Sequence, residues 1–247
     1  KTSVASGTIA LSSVNIELDG NAAEGALTFA TDGRKTLQGT LAADDLDLTP
    51  YISTIRLVTA NDRDWSELPI VLDGLTGFDL DLRLSAAKIT IARAKLGRTA
   101  VTANLRGGKM TVTVGESQAF GGIIRGSLAL GATDLGADFK SNLQFTDVDL
   151  EGALGEMFNI RRVEGRGNLA LAIEASGGSI LAITQSMNGS ASLNGREGAL
   201  LRINAEQMLA RLMRRPLSGA GDVRNGRTPF DKLIVNLKIE QGKASIK

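Results

Sequence analysis

Hydrophobic and polar residues alternate one for one along most of this chain. The clearest run is Gly77 to Leu130. There Phe78, Leu80, Leu82 and Leu84 alternate with Asp79, Asp81 and Arg83, and Ile89 and Ile91 with Lys88 and Thr90. Val101, Ala103 and Leu105 alternate with Thr102 and Asn104, and Met110, Val112 and Val114 with Thr111 and Thr113. A period of two places one set of side chains on one face of a strand and the other set on the opposite face. Small breaks at Leu96-Gly97-Arg98, Gly107-Gly108 and Gly121-Gly122 are spaced as in a meander of hairpins. The pattern already holds at Ile9, Leu11, Val14, Ile16 and Leu18. It continues past the turn signals Asp19-Gly20-Asn21 and Asp32-Gly33 into Leu37 and Leu41. It resumes from Ala137 to Phe145, at Leu169, Leu171 and Ile173, and from Leu233 to Ile246. The expected fold class is mainly β, a long antiparallel sheet with a few short α-helices.

The helices are few. Thr49 before Pro50 suits an N-cap with proline at the first helical position. Residues 54–74 lose periodicity, carry Trp65, and read as a loop and a boundary between two sub-units. Ser179 caps a short helix running to Ser186, and Asn194-Gly195 reads as a turn. The best helical pattern is Asn204 to Arg214, where Met208, Leu209, Leu212 and Met213 share a face with Ile203. Arg211, Arg214 and Arg215 complement its C-terminal dipole and Pro216 stops it. Lying on its own sheet is the plainer role for that helix; docking on a membrane surface is the other. A Gly/Pro/Arg-rich loop over 215–229 follows. Two strand exits, Leu41 to Leu48 and Leu143 to Leu150, share the pattern Leu-x-x-x-Asp-x-Asp-Leu before a helical stretch. A duplicated unit explains this, and so does generic helix capping.

Composition removes much of the available chemistry. The chain has no histidine and no cysteine, which excludes imidazole and thiol catalysis, disulfides and the commonest metal ligands. Lysine and arginine total 28 against 27 acids, so nothing favours a nucleic-acid partner. Asp45/Asp47, Asp79/Asp81 and Asp147/Asp149 each share a strand face. No EF-hand-like loop surrounds them, and wet faces or helix caps account for them. Gly165-Arg166-Gly167 and Gly219-Ala220-Gly221 lack the Lys-Ser/Thr ending and the strand–turn–helix setting of a phosphate loop. Ser176-Gly177-Gly178-Ser179 has no base beside it. No metal, cofactor or catalytic site is expected. No stretch reaches the roughly 18 consecutive apolar residues of a membrane span. The chain begins at Lys1 without methionine, as a piece of a longer protein would, and an anchor would lie upstream of it.

One apolar face this long needs a cover. About 14 strand-like segments at ~4.8 Å each make a ribbon on the order of 65 Å across. Three or four helices of two or three turns are too few to cover it. The sheet therefore packs on itself as a sandwich or barrel, or curls into a trough whose lining is partly free. Periodicity alone favours the self-packed sheet.

The order of several motifs narrows this choice. Asp45-Leu46-Asp47-Leu48-Thr49-Pro50-Tyr51-Ile52 comes first, then Trp65-Ser66, then Leu75-x-x-Phe78-Asp79-Leu80-Asp81-Leu82-x-Leu84-Ser85-Ala86. Gly107-Gly108-Lys109-Met110, Ala119-Phe120-Gly121-Gly122-x-x-x-Gly126 and Phe145-x-Asp147-Val148-Asp149-Leu150 follow. Arg202-Ile203-Asn204-Ala205-Glu206 and Thr228-Pro229-Phe230-Asp231-Lys232-Leu233 come last. In this order they resemble the C-terminal domain of the AsmA family, over nearly the whole chain. The resemblance implies a periplasmic body anchored in the inner membrane of a Gram-negative bacterium by a helix outside this chain. It implies a long curled sheet whose groove passes phospholipid between membranes, without catalysis, in support of outer-membrane homeostasis. It assigns residues 1–60 to a β segment continuing an upstream groove, and 61–247 to the C-terminal β-groove domain. Phe78, Leu80, Leu82, Ile89, Ile91, Val101, Leu105, Met110, Val112, Val114, Leu143 and Phe145 would then contact acyl chains. The other outcome is a non-catalytic scaffold with a self-packed β core acting in outer-membrane protein assembly.

Overall fold

A computed structural model describes residues 2–5, 7–52, 65–134, 136–202 and 226–246. The expected helix at 204–214 and most of the loop expected over 215–229, with Gly219-Ala220-Gly221, lie outside the described residues; residues 227–229 of that expected loop belong to a strand instead. Fourteen strands form one sheet. They are β1 (Thr2–Ala5), β2 (Thr8–Leu18), β3 (Asn21–Ala30), β4 (Thr36–Asp47), β5 (Asp79–Ile91), β6 (Ala94–Leu96) and β7 (Thr99–Arg106). Then come β8 (Lys109–Ala119), β9 (Gly122–Thr133), β10 (Gly136–Asp149), β11 (Val163–Gly177), β12 (Asn188–Leu201), β13 (Arg227–Glu240) and β14 (Lys243–Ile246). Spatial order follows chain order, apart from β6, which folds back on β5. The sheet is open and curled. The α-helices among the described residues are α1 (Thr49–Ile52), α2 (Leu150–Phe158) and α3 (Ile180–Ser186).

Tight hairpins make this meander. At Gly107-Gly108 φ is 56° and 79°, and at Phe120-Gly121 it is 51° and 70°. Two left-handed residues in a row give the turn whose twist matches the flanking strands. The second turn starts one residue earlier than the sequence suggests, so Phe120 holds its first central position and Gly122 opens β9. Asn194-Gly195, expected as a turn, is interior to β12. The glycine serves close approach instead: a Cβ there would lie 3.1 Å from Leu150 Cδ1 and 3.4 Å from a Phe230 ring carbon.

One pair departs from the antiparallel pattern. β4 and β5 run parallel, from Thr36 opposite Asp79 to Asp47 opposite Thr90. Parallel neighbours need a long return connection, and the chain between Leu48 and Phe78 supplies one. The sheet is thereby continuous from β1 to β14.

Phase slips cross the sheet at one level. Register shifts fall at Leu11/Val14 in β2, Ala100/Val101 in β7 and Val114/Ser117 in β8. Others fall at Phe145/Val148 in β10 and Glu164/Arg166 in β11. In β4 and β5 the buried phase moves from Ala43 and Ala86 to Leu46 and Ile89. Each slip keeps apolar residues on the same face after the extra residue, and bulges increase local twist and bend. The two similar exits share this detail: Ala43 to Leu46 in one, Phe145 to Val148 in the other. Each then enters a helix.

The core sits in the middle of the ribbon. Among the described residues every buried apolar side chain lies between Leu46 and Ala199, and none is in β1 to β3, β13 or β14. One cluster joins Phe145, Val148 and Leu169 to Leu150, Ala153 and Leu154 of α2. A second joins Ala137 and Ala175 to Ile183 of α3, with Ile70 and Leu72 packed against it. A third holds Leu46, Ala86 and Ile89.

Candidate functional site

Register places the apolar residues of neighbouring strands opposite one another, so they form one continuous surface. Ile9 faces Phe29, Phe29 faces Leu37, and Leu37 faces Leu80. Leu80 faces Leu105, Leu105 faces Met110, and Met110 faces Leu130. Leu130 faces Phe139. A second row runs through Leu143, Leu171, Ala191 and Leu237 to Ile246. The opposite face is polar. Asn142 lies beside Ser127 and Ala172, Lys140 pairs with Glu174, and Asn236 faces Ser192. Shallow depressions of about 490 and 300 Å³ open on that polar side, the second lined by Asn142, Ala172, Ser190, Ser192, Asn236 and Lys238.

Two structures stand on the rims of the apolar surface, where strands begin and end. On one rim α2 closes over β10, β11 and β12. Asp149 caps it, accepting from the Gly152 amide at 2.7 Å, and Leu150, Ala153 and Leu154 are buried. On the other rim lies α3, capped by Ser179, whose hydroxyl accepts from the Ala182 amide. Residues 65–75 form a strap across that rim. The Leu181 amide donates to the Ser66 carbonyl at 3.0 Å and the Ile70 amide to Gly178 at 2.8 Å. At its far end Arg34 donates to the Thr76 carbonyl and its Nε meets the Asp79 carboxylate at 2.6 Å. Between the rims Leu128, Leu143 and Leu171 remain half-buried. The surface is therefore a trough, narrowed from both sides at β9 to β11 and open toward β1 and β14.

A polar clasp fixes the α2 rim from outside. Asp147 sits at the β10 slip in the left-handed region, at φ 52°. Its amide donates to Asn168 Oδ1 at 2.8 Å, and its carboxylate accepts from Arg166 Nε at 3.0 Å and Arg196 Nη2 at 2.6 Å. Arg166 also donates to the carbonyls of Asp147 and Gly121, tying β10, β11 and the β8–β9 turn together. The Arg166 hydrogen bond first, then the charges of Arg166 and Arg196, hold the Asp147 carboxyl below its ordinary range against some desolvation. The first exit uses a similar device. The Asp47 amide donates to Asn21 Oδ1 at 2.6 Å, and hydrogen bonds to its carboxylate from the Thr49 side chain first, then the Thr49 amide, lower its pKa. The Thr49 hydroxyl also accepts from the Ala92 amide at 3.0 Å.

The residues singled out by sequence lie on this surface in three settings. Leu80, Leu82, Ile91, Val101, Met110, Val112, Val114 and Leu143 are half-buried on the apolar face. Ile89, Leu105 and Phe145 are enclosed by protein, at 4%, 0% and 2% exposure. Phe78 precedes β5 and is exposed. The same face also carries Ile9, Phe29 and Leu37 at one end, Leu128, Leu171 and Leu193 in the middle, and Val235 and Leu237 beyond. Those positions obey the same alternation, and no local feature of the sequence separates one stretch of the trough from another.

One or both members of each acidic pair hold structural contacts: Asp47 binds Thr49, Asp79 pairs with Arg34, Asp147 binds Arg166 and Asp149 caps a helix. Gly165 to Gly167 lie within β11 at a slip. Among the described residues there is no group of three or more His, Cys, Asp or Glu able to hold a metal ion. No helix among them is long and apolar enough to cross a membrane. The family model for the AsmA family matches residues 56–247. No curated protein and no solved structure matches the chain.

Proposed function

Because the chain belongs to the AsmA family, whose membership points to membrane- or lipid-related work, we propose that it handles phospholipid acyl chains in its trough. The carrying observation is the apolar face that register carries from Ile9 of β2 to Ile246 of β14, half-exposed between the two rims at Leu128, Leu143 and Leu171. Each methylene moved from water onto such a surface contributes ~0.8 kcal/mol, without demanding a particular headgroup. The role is non-catalytic. The protein works in the periplasm of a Gram-negative cell, held to the inner membrane through a segment outside this chain. It passes phospholipid toward the outer membrane, with residues 1–60 joining the trough to an upstream continuation and 61–247 forming its C-terminal part.

Uptake of a fluorescent long-chain phospholipid by the purified chain tests this. Leu143→Asp and Leu171→Asp, on the apolar face, are expected to abolish uptake. Gln144→Asp, on the polar face of the same strand, leaves it unchanged. Absence of uptake by the parent chain, or equal loss from both faces, removes the trough as a lipid site.

The enclosed section favours a second reading. Burial of Ile89, Leu105 and Phe145 suits a self-packed scaffold acting in outer-membrane protein assembly. On that reading the parent chain takes up no lipid, and the aspartate variants differ from it only in stability.

A further inference from the structure

One group of exposed apolar side chains belongs neither to the trough nor to any core cluster. Met157, Phe158 and Ile160 lie within four residues of one another and are exposed by 39%, 44% and 45%. They are held in place. Helix α2 ends at Asn159 in the left-handed conformation, φ 56°, and the amides of Asn159 and Ile160 both donate to the Leu154 carbonyl. In this type of helix end the residue after the left-handed position commonly packs back on the helix; Ile160 remains nearly half exposed. The next two residues are Arg161 and Arg162, both exposed. The Arg161 stem lies along the helix, since a Cβ on Gly155 would sit 3.4 Å from its Cγ. The Arg162 carbonyl accepts from the Leu201 amide at 2.8 Å, which ties this stretch to β12. Neither guanidinium has an acidic partner among the described residues, and the only acid between 155 and 162 is Glu156.

We propose that this tip of α2 docks on an anionic bilayer, with Met157, Phe158 and Ile160 entering the acyl boundary and Arg161 and Arg162 on the lipid phosphates. Charge complementarity selects this occupant. An apolar tip backed directly by cations matches the order of layers at such an interface, tails first and phosphates behind them. The inference rests on the lipid-handling reading above and sharpens it: docking seats the rim over β10 to β12 on the membrane, at the narrowed section of the trough.

Flotation of the purified chain with vesicles tests it. The parent chain floats with mixed phosphatidylglycerol/phosphatidylcholine vesicles and far less with phosphatidylcholine alone, and added salt weakens binding. Arg161→Gln with Arg162→Gln weakens binding by about 25-fold, from the usual contribution of two cations near an anionic surface. Phe158→Ser with Ile160→Ser reduces it in both vesicle types. Placing Phe158→Trp in a Trp65→Phe background gives a local readout: its emission shifts to the blue and is quenched by brominated lipid. Lipid uptake in solution separates this idea from the trough. The tip variants keep uptake, whereas Leu143→Asp loses uptake and still floats. Failure of the parent to float, equal flotation after loss of both arginines, or no quenching at position 158 overturns the proposal. So does concentration-dependent dimerisation that Phe158→Ser abolishes without any vesicle binding, which would give the tip to a second copy of the chain.

Discussion

The Asp147 carboxylate lies 3.0 Å from Arg166 Nε, and the same arginine reaches the carbonyl of Asp147 itself. One side chain thus holds both the charge and the backbone of a residue in the left-handed region. The folded-state pKa of Asp147 is depressed. Its ionised form therefore stabilises the fold above the ordinary aspartate value of about 3.9, and this contribution is lost as pH falls through the lower folded value. Urea midpoints of the parent chain and Asp147→Asn should differ clearly at neutral pH and converge in strong acid. The same gap at both pH values would show that the clasp is not electrostatic.

Phe145 ties the sheet to α2 and is 2% exposed among Leu150, Ala153 and Leu154. Phe145→Ala is expected to cost about 3–5 kcal/mol, read from denaturant unfolding. Proteolysis should then cut first near α2. A loss under about 1 kcal/mol would mean that the rim closes the trough without holding it.

Thr99 and Ser117 place a hydroxyl pair, 2.8 Å apart, in an otherwise apolar region, at 5% and 2% exposure. Thr99 donates to the Gly97 carbonyl, so Ser117 is the donor to Thr99. Thr99→Val strands the Ser117 hydroxyl and should cost about 1–3 kcal/mol; Thr99→Val with Ser117→Ala should restore most of that loss. Additive costs in a double-mutant cycle would show that the two hydroxyls do not satisfy one another.

Gly126 has φ 143° and faces Leu143, and a Cβ there would collide with the Asn142 carbonyl of the adjacent strand. Gly126→Ala should lower the thermal midpoint by more than Gly20→Ala, where nothing lies within 4 Å of the added carbon and only the strain of φ 79° remains. Equal shifts would indicate that β9 and β10 separate without strain.

Much of this fold is written in the alternation. From Phe78 to Val114 the period of two identifies the strands and their apolar face, and glycine pairs mark turns to within a residue. Ser179 identifies a helix start. What the alternation lacks is a partner and a direction, so the parallel pairing of β4 with β5 was beyond its reach. A bulge also breaks the period: the alternation ending at Leu84 restarts out of phase at Ile89, although β5 runs through both. Glycines mislead where they permit close packing, as Gly195 does beneath Leu150. The trough's chemistry was legible because every second residue is apolar. Enclosure of Ile89 and Phe145 was not, since covering is a relation between distant segments: Phe145 lies under α2, and Ile89 packs with Leu46 of β4 and Leu96 of β6.

Apart from the β4–β5 seam and the β6 fold-back, each strand bonds only to its chain neighbours. Such a sheet behaves as a one-dimensional array, its stability close to a sum of nearest-neighbour terms. It should melt inward from β1 and β14, the ends without buried apolar side chains, and hydrogen exchange should slow toward β10. No closure condition limits the number of strands, as it does in a barrel. Each added hairpin extends the ribbon by two spacings of ~4.8 Å and leaves the rest of the fold as it was. The span such a protein bridges is therefore set by counting hairpins, a quantity that insertion and deletion of short repeats changes without redesigning a core.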